Sequence, residues 1–312
     1  MTAVAPITFP AAGGITLRGE RWGDAGPPVL FSQGNGFAVQ SYRDAFAAVT
    51  DRPANRVTVH ALNSRGHGGS DVPPNLQPPP LALWDGMVED LRLYLKAHFS
   101  SPVLVAGHSM GATVSLRLTA ESPELVSGLL LMEPNLVRGR RDEWPSNATG
   151  IQAQMIEGAQ RRRERWPNRA EAAAWLRERG TYRDWAPGPF DAFIQGGLLD
   201  DGAEVRLACP PWLEAQAYGT LPDAVMFRWA DTIKVPTVLI KANDSPVVSA
   251  NGLEDFIKAV PITVVLNVQG GHSFPMQHPR EAGAAIAMGM DILLRATAPK
   301  PKTAATATAS GG

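Results

Sequence analysis

Apolar residues along this chain come in short runs of Val, Leu and Ile, separated by longer stretches in which apolar positions recur at helical spacing. A short, wholly apolar run bounded by turn residues suits a strand buried on both faces, and the helical stretches supply its covers. The alternation predicts an α/β fold built on a mostly parallel, doubly wound sheet. "ITLRGERWG" (15–23) alternates like an early edge strand, while "PVLFSQGNGF" (28–37) and "RVTVHALNSRGHGGS" (56–70) each read as a buried strand entering a glycine turn. In "LALWDGMVEDLRLYLKAHF" (81–99), Leu83, Met87, Leu91 and Leu95 share one face with Val88 beside them, which predicts an amphipathic helix. "PVLVAGHSMGATVSLRLTAES" (102–122) reads as strand then helix, and "VSGLLLMEPN" (126–135) as another strand.

Between about 136 and 231 the apolar strand runs stop, and segments such as "RAEAAAWLRERG" (169–180) take over. This predicts an inserted helical lid, with "RRRER" (161–165) as a solvated helix face. Sheet character returns at "KVPTVLIKAND" (234–244) and "ITVVLNV" (262–268), and a last helix is expected over about 279–295. The organisation is therefore a core of 1–135 and 232–296, a lid of 136–231, and a tail of 297–312. That tail has no apolar period to offset the entropy of ordering it, so disorder is expected there.

Composition narrows the function classes. With 312 residues and 44% hydrophobic content, the chain can bury one large core and carry a lid. A formal net charge of −1 gives no basic field for nucleic acid or an anionic membrane. The single cysteine, Cys209, rules out an internal disulfide. The N-terminal stretch has no basic region followed by an apolar run, and nothing approaches the roughly 20 apolar residues of a membrane span. A cytoplasmic protein is the expectation.

The chemistry centres on "VLVAGHSMGA" (103–112). A G-x-S-x-G pentapeptide gains meaning when a strand precedes it and a helix follows, because the sharp turn then projects the serine from the sheet edge. Ser109 is the candidate nucleophile, with Gly107 and Gly111 removing side chains that would clash in the turn. A serine hydroxyl needs a base. His60 reads as a core residue, His67 as part of a glycine turn, His98 as the solvent side of a helix, and His278 as a border of the last helix. His108 adjoins Ser109 but points away from it. His272, in "NVQGGHSFPMQHP" after the last strand, has two glycines that let its loop curl over the sheet edge, and it is the candidate base.

With "SQGNGF", "NSRGHGGS", "GHSMG" and "GGHSFPMQHP", the chain resembles the α/β-hydrolase fold family from about residue 15 to 295. The resemblance implies an oxyanion hole made by two backbone N–H groups, those of Met110 and Asn35. It also implies an acid after the strand "PTVLIKA", at a position occupied here by Ser245, one residue beyond Asp244. The strand before the lid ends in "LLLMEPN", with Glu133 at its tip. In a parallel sheet these two strands should be neighbours, so either tip could deliver the carboxylate; some family members use the earlier one. Glu133 is favoured, because a buried carboxylate without a partner is costly, and Asp244 stays open.

A serine rather than an aspartate at the elbow points to acyl transfer: a carboxylic ester, lactone or thioester cleaved through an acyl-serine, with no metal and no organic cofactor. A receptor-like protein of the same fold with little turnover, or an acyltransferase, are the alternatives. Six of the eight tryptophans (Trp144, Trp166, Trp175, Trp185, Trp212 and Trp229) lie in or at the borders of the expected lid. They suit an apolar, bulky small-molecule substrate, with Trp185 and Trp212 as candidate contacts.

Overall fold

Pleating sends successive side chains of a strand to opposite faces, so a strand apolar at every position needs cover on both sides. The computed structural model, which describes residues 3–73, 82–137, 146–220, 226–260 and 262–298, provides that cover. Its principal sheet contains β1 (Val4–Pro10), β2 (Thr16–Trp22), β3 (Pro28–Ser32), β4 (Thr58–Leu62), β5 (Val103–His108), β6 (Val126–Met132), and then β10 (Thr237–Ala242) and β11 (Thr263–Val268). The spatial order is β1-β2-β4-β3-β5-β6-β10-β11. From β4 to β11 neighbouring strands run parallel, while β1 and β2 are antiparallel additions at one side.

On one face, α1 (Arg43–Thr50) and α11 (Pro279–Thr297) bury Phe46, Val49, Ile286 and Met290 against Phe31, Val59, Ala106 and Leu130. On the other, α2 (Ala82–His98), α3 (Met110–Glu121) and α9 (Ala250–Ala259) bury Trp84, Leu91, Leu116 and Phe256 against Leu30, Leu62, Val105 and Leu131. Leu30 and Phe31, or Leu130 and Leu131, are adjacent in sequence and sit in different cores. That is the doubly wound arrangement expected from the pattern.

The segment between β6 and β10 carries α4 (Ser146–Gln160), α5 (Arg169–Arg177), α6 (Pro187–Gly196), α7 (Pro211–Gly219) and α8 (Met226–Ala230). The expectation of a strand-free segment is corrected here: β7 (Arg165–Trp166), β8 (Leu198–Asp201) and β9 (Glu204–Leu207) form a small antiparallel sheet, ordered β7-β9-β8. "RRRER" is likewise no helix face, since Arg162 turns inward and pairs with Glu214 of α7. The strand at 15–23 is not at the edge either, because β1 pairs along its outer side from Val4↔Trp22 to Pro10↔Thr16. A last short helix, α10 (Phe274–Gln277), precedes α11. Most of the expected tail lies outside the described residues. Among those residues no helix is long and apolar enough to cross a membrane.

Candidate active site

The turn from β5 into α3 is one that only particular residues allow. Ser109 sits between them at φ 54° and ψ −116°, a backbone region that costs an L-residue energy and persists only where its surroundings enforce it. Those surroundings are tight. A Cβ on Gly107 would lie 2.3 Å from the Gly111 carbonyl oxygen, and one on Gly111 would lie 2.2 Å from that of Ser32. The Ser109 N–H donates to the Met132 carbonyl at 2.9 Å, tying the turn to the tip of β6.

Beyond that tip the chain places Glu133 at φ 49°, wholly buried, its N–H bonded to the Ile240 carbonyl of β10 at 2.9 Å. The parallel pairing of β6 with β10, Leu129↔Thr237 through Met132↔Ile240, sets this position. The Glu133 carboxylate accepts from the Ala242 N–H at 2.7 Å, from the Ser245 hydroxyl, and from His272 Nδ1 at 3.1 Å. A carboxylate only accepts, so Nδ1 carries the imidazole proton and Nε2 of the neutral ring is an acceptor. Nε2 lies 2.9 Å from Ser109 Oγ, whose hydroxyl therefore donates to it.

The two candidate acids thus part company. Ser245, which stands where the family resemblance put a carboxylate, is a hydroxyl donor to Glu133. Asp244 is exposed, and its N–H serves the loop of His272 by donating to the Gly270 carbonyl at 3.0 Å.

The turn after β3 faces the same edge. Within it the Gly34 N–H donates to Tyr42 Oη at 3.0 Å and the Gly36 N–H to His67 Nε2 at 3.1 Å; among the described residues no hydrogen bond uses the Asn35 N–H between them. The Asn35 side chain is committed elsewhere, donating to the Glu214 carbonyl at 3.0 Å. Met110 opens α3, where the first N–H groups have no intrahelical carbonyl to bond. The two amides expected to face an oxyanion are therefore uncommitted. His67 is buried and serves the turn as expected: Nδ1–H donates to the Arg65 carbonyl and Nε2 accepts from Gly36, while burial pulls its pKa down to about 4.

The sequence pattern sets His108 aside as a base and gives no sign of its link to Tyr42. His108 does point away from Ser109, but its Nε2 lies 2.8 Å from the carbonyl oxygen of His272 and its Nδ1 2.7 Å from Tyr42 Oη. No sequence spacing joins residues 42, 108 and 272. Trp185 is buried and meets Phe37, just past the turn, edge-on with centroids 5.1 Å apart. Trp212 is 49% exposed on α7, and Trp166 packs against Trp175. Trp144 lies outside the described residues. Thr181 and Ser273 share a hydrogen bond of 2.7 Å, and the Ala186 N–H donates to the Met276 carbonyl at 2.8 Å. These contacts fasten the segment after α5 to the loop that follows His272.

Among the described residues no cluster of three or more His, Cys, Asp and Glu could hold a metal ion. A hydroxyl, a neutral imidazole and a buried carboxylate in line can do one kind of chemistry. They can withdraw a proton from the hydroxyl and stabilise the resulting imidazolium.

Comparison with known proteins agrees at the level of fold. The chain is similar to a pimeloyl-(acyl-carrier protein) methyl ester esterase of Chromobacterium violaceum, 31% identical over 138 residues. That similarity takes in 43% of this chain and 49% of the relative, so the chain spans about half the length of the curated relative it matches. Among solved structures it is similar to an E-2-(acetamidomethylene)succinate hydrolase, with a TM-score of 0.74 and 21% identity over 92% of this chain and 100% of that one. It is similar also to the thioesterase domain from the curacin biosynthetic pathway, with a TM-score of 0.71 and 19% identity over 94% of this chain and 99% of that one. At these identities the structures speak for the fold alone. Residues 27–279 match the family described as alpha/beta hydrolase fold, and to that family this chain belongs.

Proposed function

We propose that this chain is a serine hydrolase that cleaves a carboxylic ester or lactone through an acyl-serine intermediate. Ser109 is the nucleophile, His272 the base and Glu133 the acid that orients it. The observation that carries the reading is the continuous line from Ser109 Oγ through both nitrogens of His272 to the Glu133 carboxylate, with separations of 2.9 and 3.1 Å. As Oγ attacks the carbonyl carbon, its proton passes to Nε2 and the carbonyl electron pair moves onto oxygen, where the Asn35 and Met110 amides stabilise it. Collapse breaks the bond to the leaving alkoxide, which takes the proton from Nε2. Water, deprotonated by the same nitrogen, then releases the acid and restores Ser109. Methyl-ester and thioester cleavage, named for two of the similar proteins, follow this same course.

We read residues 136–231 as the lid, with Trp185, packed on Phe37 just past the turn after β3, as the tryptophan that would bear on the acyl group. Trp212, 49% exposed on α7, is the second candidate contact.

The test is a panel of nitrophenyl esters and lactones with the wild type and Ser109→Ala. The wild type should turn over at least one class, and Ser109→Ala should retain under about 1% of that rate while unfolding at an unchanged temperature. Equal turnover by both proteins would remove Ser109 from the mechanism, and a wild type inert to the whole panel would favour a binding protein of this fold.

A further inference from the structure

His108 occupies the second position of the G-x-S-x-G turn, wholly buried; it makes no hydrogen bond to Ser109 Oγ or to the imidazole nitrogens of His272, and its ring lies beside that imidazole with centroids 5.1 Å apart and 34° between planes. Its two hydrogen bonds run to the His272 backbone and to the Tyr42 side chain. The His272 carbonyl can only accept, so at 2.8 Å His108 Nε2 must carry a proton and donate it. Burial, and the neighbouring His272, hold His108 neutral well below the ordinary histidine range, so Nδ1 is a lone pair. Tyr42 Oη, 2.7 Å away, then donates to Nδ1, and burial pushes its phenol pKa up so that it keeps the proton. The Tyr42 oxygen in turn accepts the Gly34 N–H at 3.0 Å. Every proton in this chain has one allowed direction.

The ring is also held in place sterically. Phe37 stacks on it nearly parallel, 7° between planes at a centroid distance of 6.2 Å, and Phe274 meets it edge-on at 6.3 Å. The line from Gly34 to the His272 carbonyl therefore joins two loops far apart in sequence: the turn that presents the Asn35 amide, and the loop that presents the base.

Building on the reading of Ser109 and His272 given above, we propose that His108 is a positioning residue that, with Tyr42, fixes the distance between the oxyanion turn and the base-bearing loop. It acts by holding the His272 backbone and by packing beside the His272 ring, not by transferring a proton itself. Because acyl transfer needs both the base and the oxyanion donors in place at one carbonyl, loosening this link should slow chemistry while leaving substrate binding nearly intact.

The experiment is single-turnover release of nitrophenol from p-nitrophenyl acetate with enzyme in excess, which reads acylation alone. Tyr42→Phe and His108→Phe should each lower the limiting rate about 10- to 100-fold per folded molecule. The half-saturating enzyme concentration should move by less than about twofold. Since the two side chains act as one link, the double variant should be no slower than the slower single one. His108→Gln, whose amide can still donate toward the His272 carbonyl, should recover much of the loss. Should His108→Phe not fold, the same coupling is read from Tyr42→Phe, His108→Gln and their double variant. Limiting rates within about twofold of wild type, or losses that multiply in the double variant, would overturn the proposal and leave buried packing as the role of both residues. A wild type whose single turnover equals that of Ser109→Ala would instead sink the reading of Ser109, and this inference with it.

Discussion

At the scale of single residues, the position of the acid turned on one hydroxyl. A carboxylate at 245 would have matched the family resemblance, and the sequence offered Ser245 there, Asp244 beside it and Glu133 on another strand. Nothing in the one-dimensional pattern says which of two neighbouring strand tips reaches His272, which lies 139 residues beyond Glu133 and 27 beyond Ser245. The parallel register of β6 and β10 does say it: Glu133 lies within reach of His272 Nδ1, Ser245 donates to the same carboxylate, and Asp244 faces solvent. Ser109 and His272 were legible for a different reason, since each is flanked by glycines whose freedom is needed only in a sharp loop. His108 and Tyr42 left no such mark. Glu133→Gln keeps the size of the side chain and loses the charge that stabilises the imidazolium, so kcat should fall by about 10² to 10⁴. Asp244→Asn should change kcat by less than about twofold, as a substitution at an exposed carboxylate outside the line. Measuring kcat and thermal midpoint for both variants checks the assignment, and a greater catalytic loss in Asp244→Asn would transfer the acid to the later strand.

At the scale of elements, what the hydrophobic pattern reveals is what is long and doubly buried. β3, β4, β5, β6 and β10 are apolar nearly throughout, and all were legible, as was α2 with its regular stripe. β1 was missed because "VAPITFP" carries Pro6 and Pro10, which a central strand cannot hold but an outer strand tolerates. β7 to β9 are two to four residues long, too short for a period of two to register. The turn between β5 and α3 shows how a few atoms govern the junction of two elements. A Cβ on Gly111 would press into the Ser32 backbone, which belongs to the sheet and has nowhere to go. Gly111→Ala should therefore cost about 3 kcal/mol or more in urea unfolding, the upper part of the range for overpacking. Gly150→Ala, a change on α4 where an added Cβ meets nothing within 4 Å, should leave stability unchanged or raise it slightly. Equal effects at the two positions would mean the elbow yields more readily than its backbone contacts imply.

At the scale of the whole molecule, holding two buried histidines and one half-buried histidine without charge ties folding to pH. His60, on β4 against Tyr94, has its pKa lowered to about 4, chiefly by burial. His67, beneath the turn after β3, is lowered to about 4 for the same first reason, and His108 lies well below the ordinary range. In the unfolded chain each recovers a pKa near 6.5. For a base whose folded pKa is depressed, the unfolded state binds more protons between the two values. The stability these residues contribute is therefore fully present above about pH 6.5 and is lost as pH falls toward 4. Asp90 works in the opposite sense, since burial raises its pKa despite Arg65, but it is one group against three. Between pH 6.5 and 5 the free energy of unfolding should decline by more than about 1.4 kcal/mol per pH unit, the slope of a single proton. Urea titrations at closely spaced pH values measure that slope. His60→Gln, whose imidazole is hydrogen-bonded to Tyr94 of α2, should reduce it by a fraction of one proton, since solvent reaches this half-buried ring, while leaving turnover at pH 7.5 unchanged. A slope untouched by His60→Gln would show that His60 accepts a proton in the folded state near its ordinary pKa, and a slope of zero would extend that to His67 and His108, so that the single proton direction drawn from Gly34 to His272 would lose its basis below neutral pH.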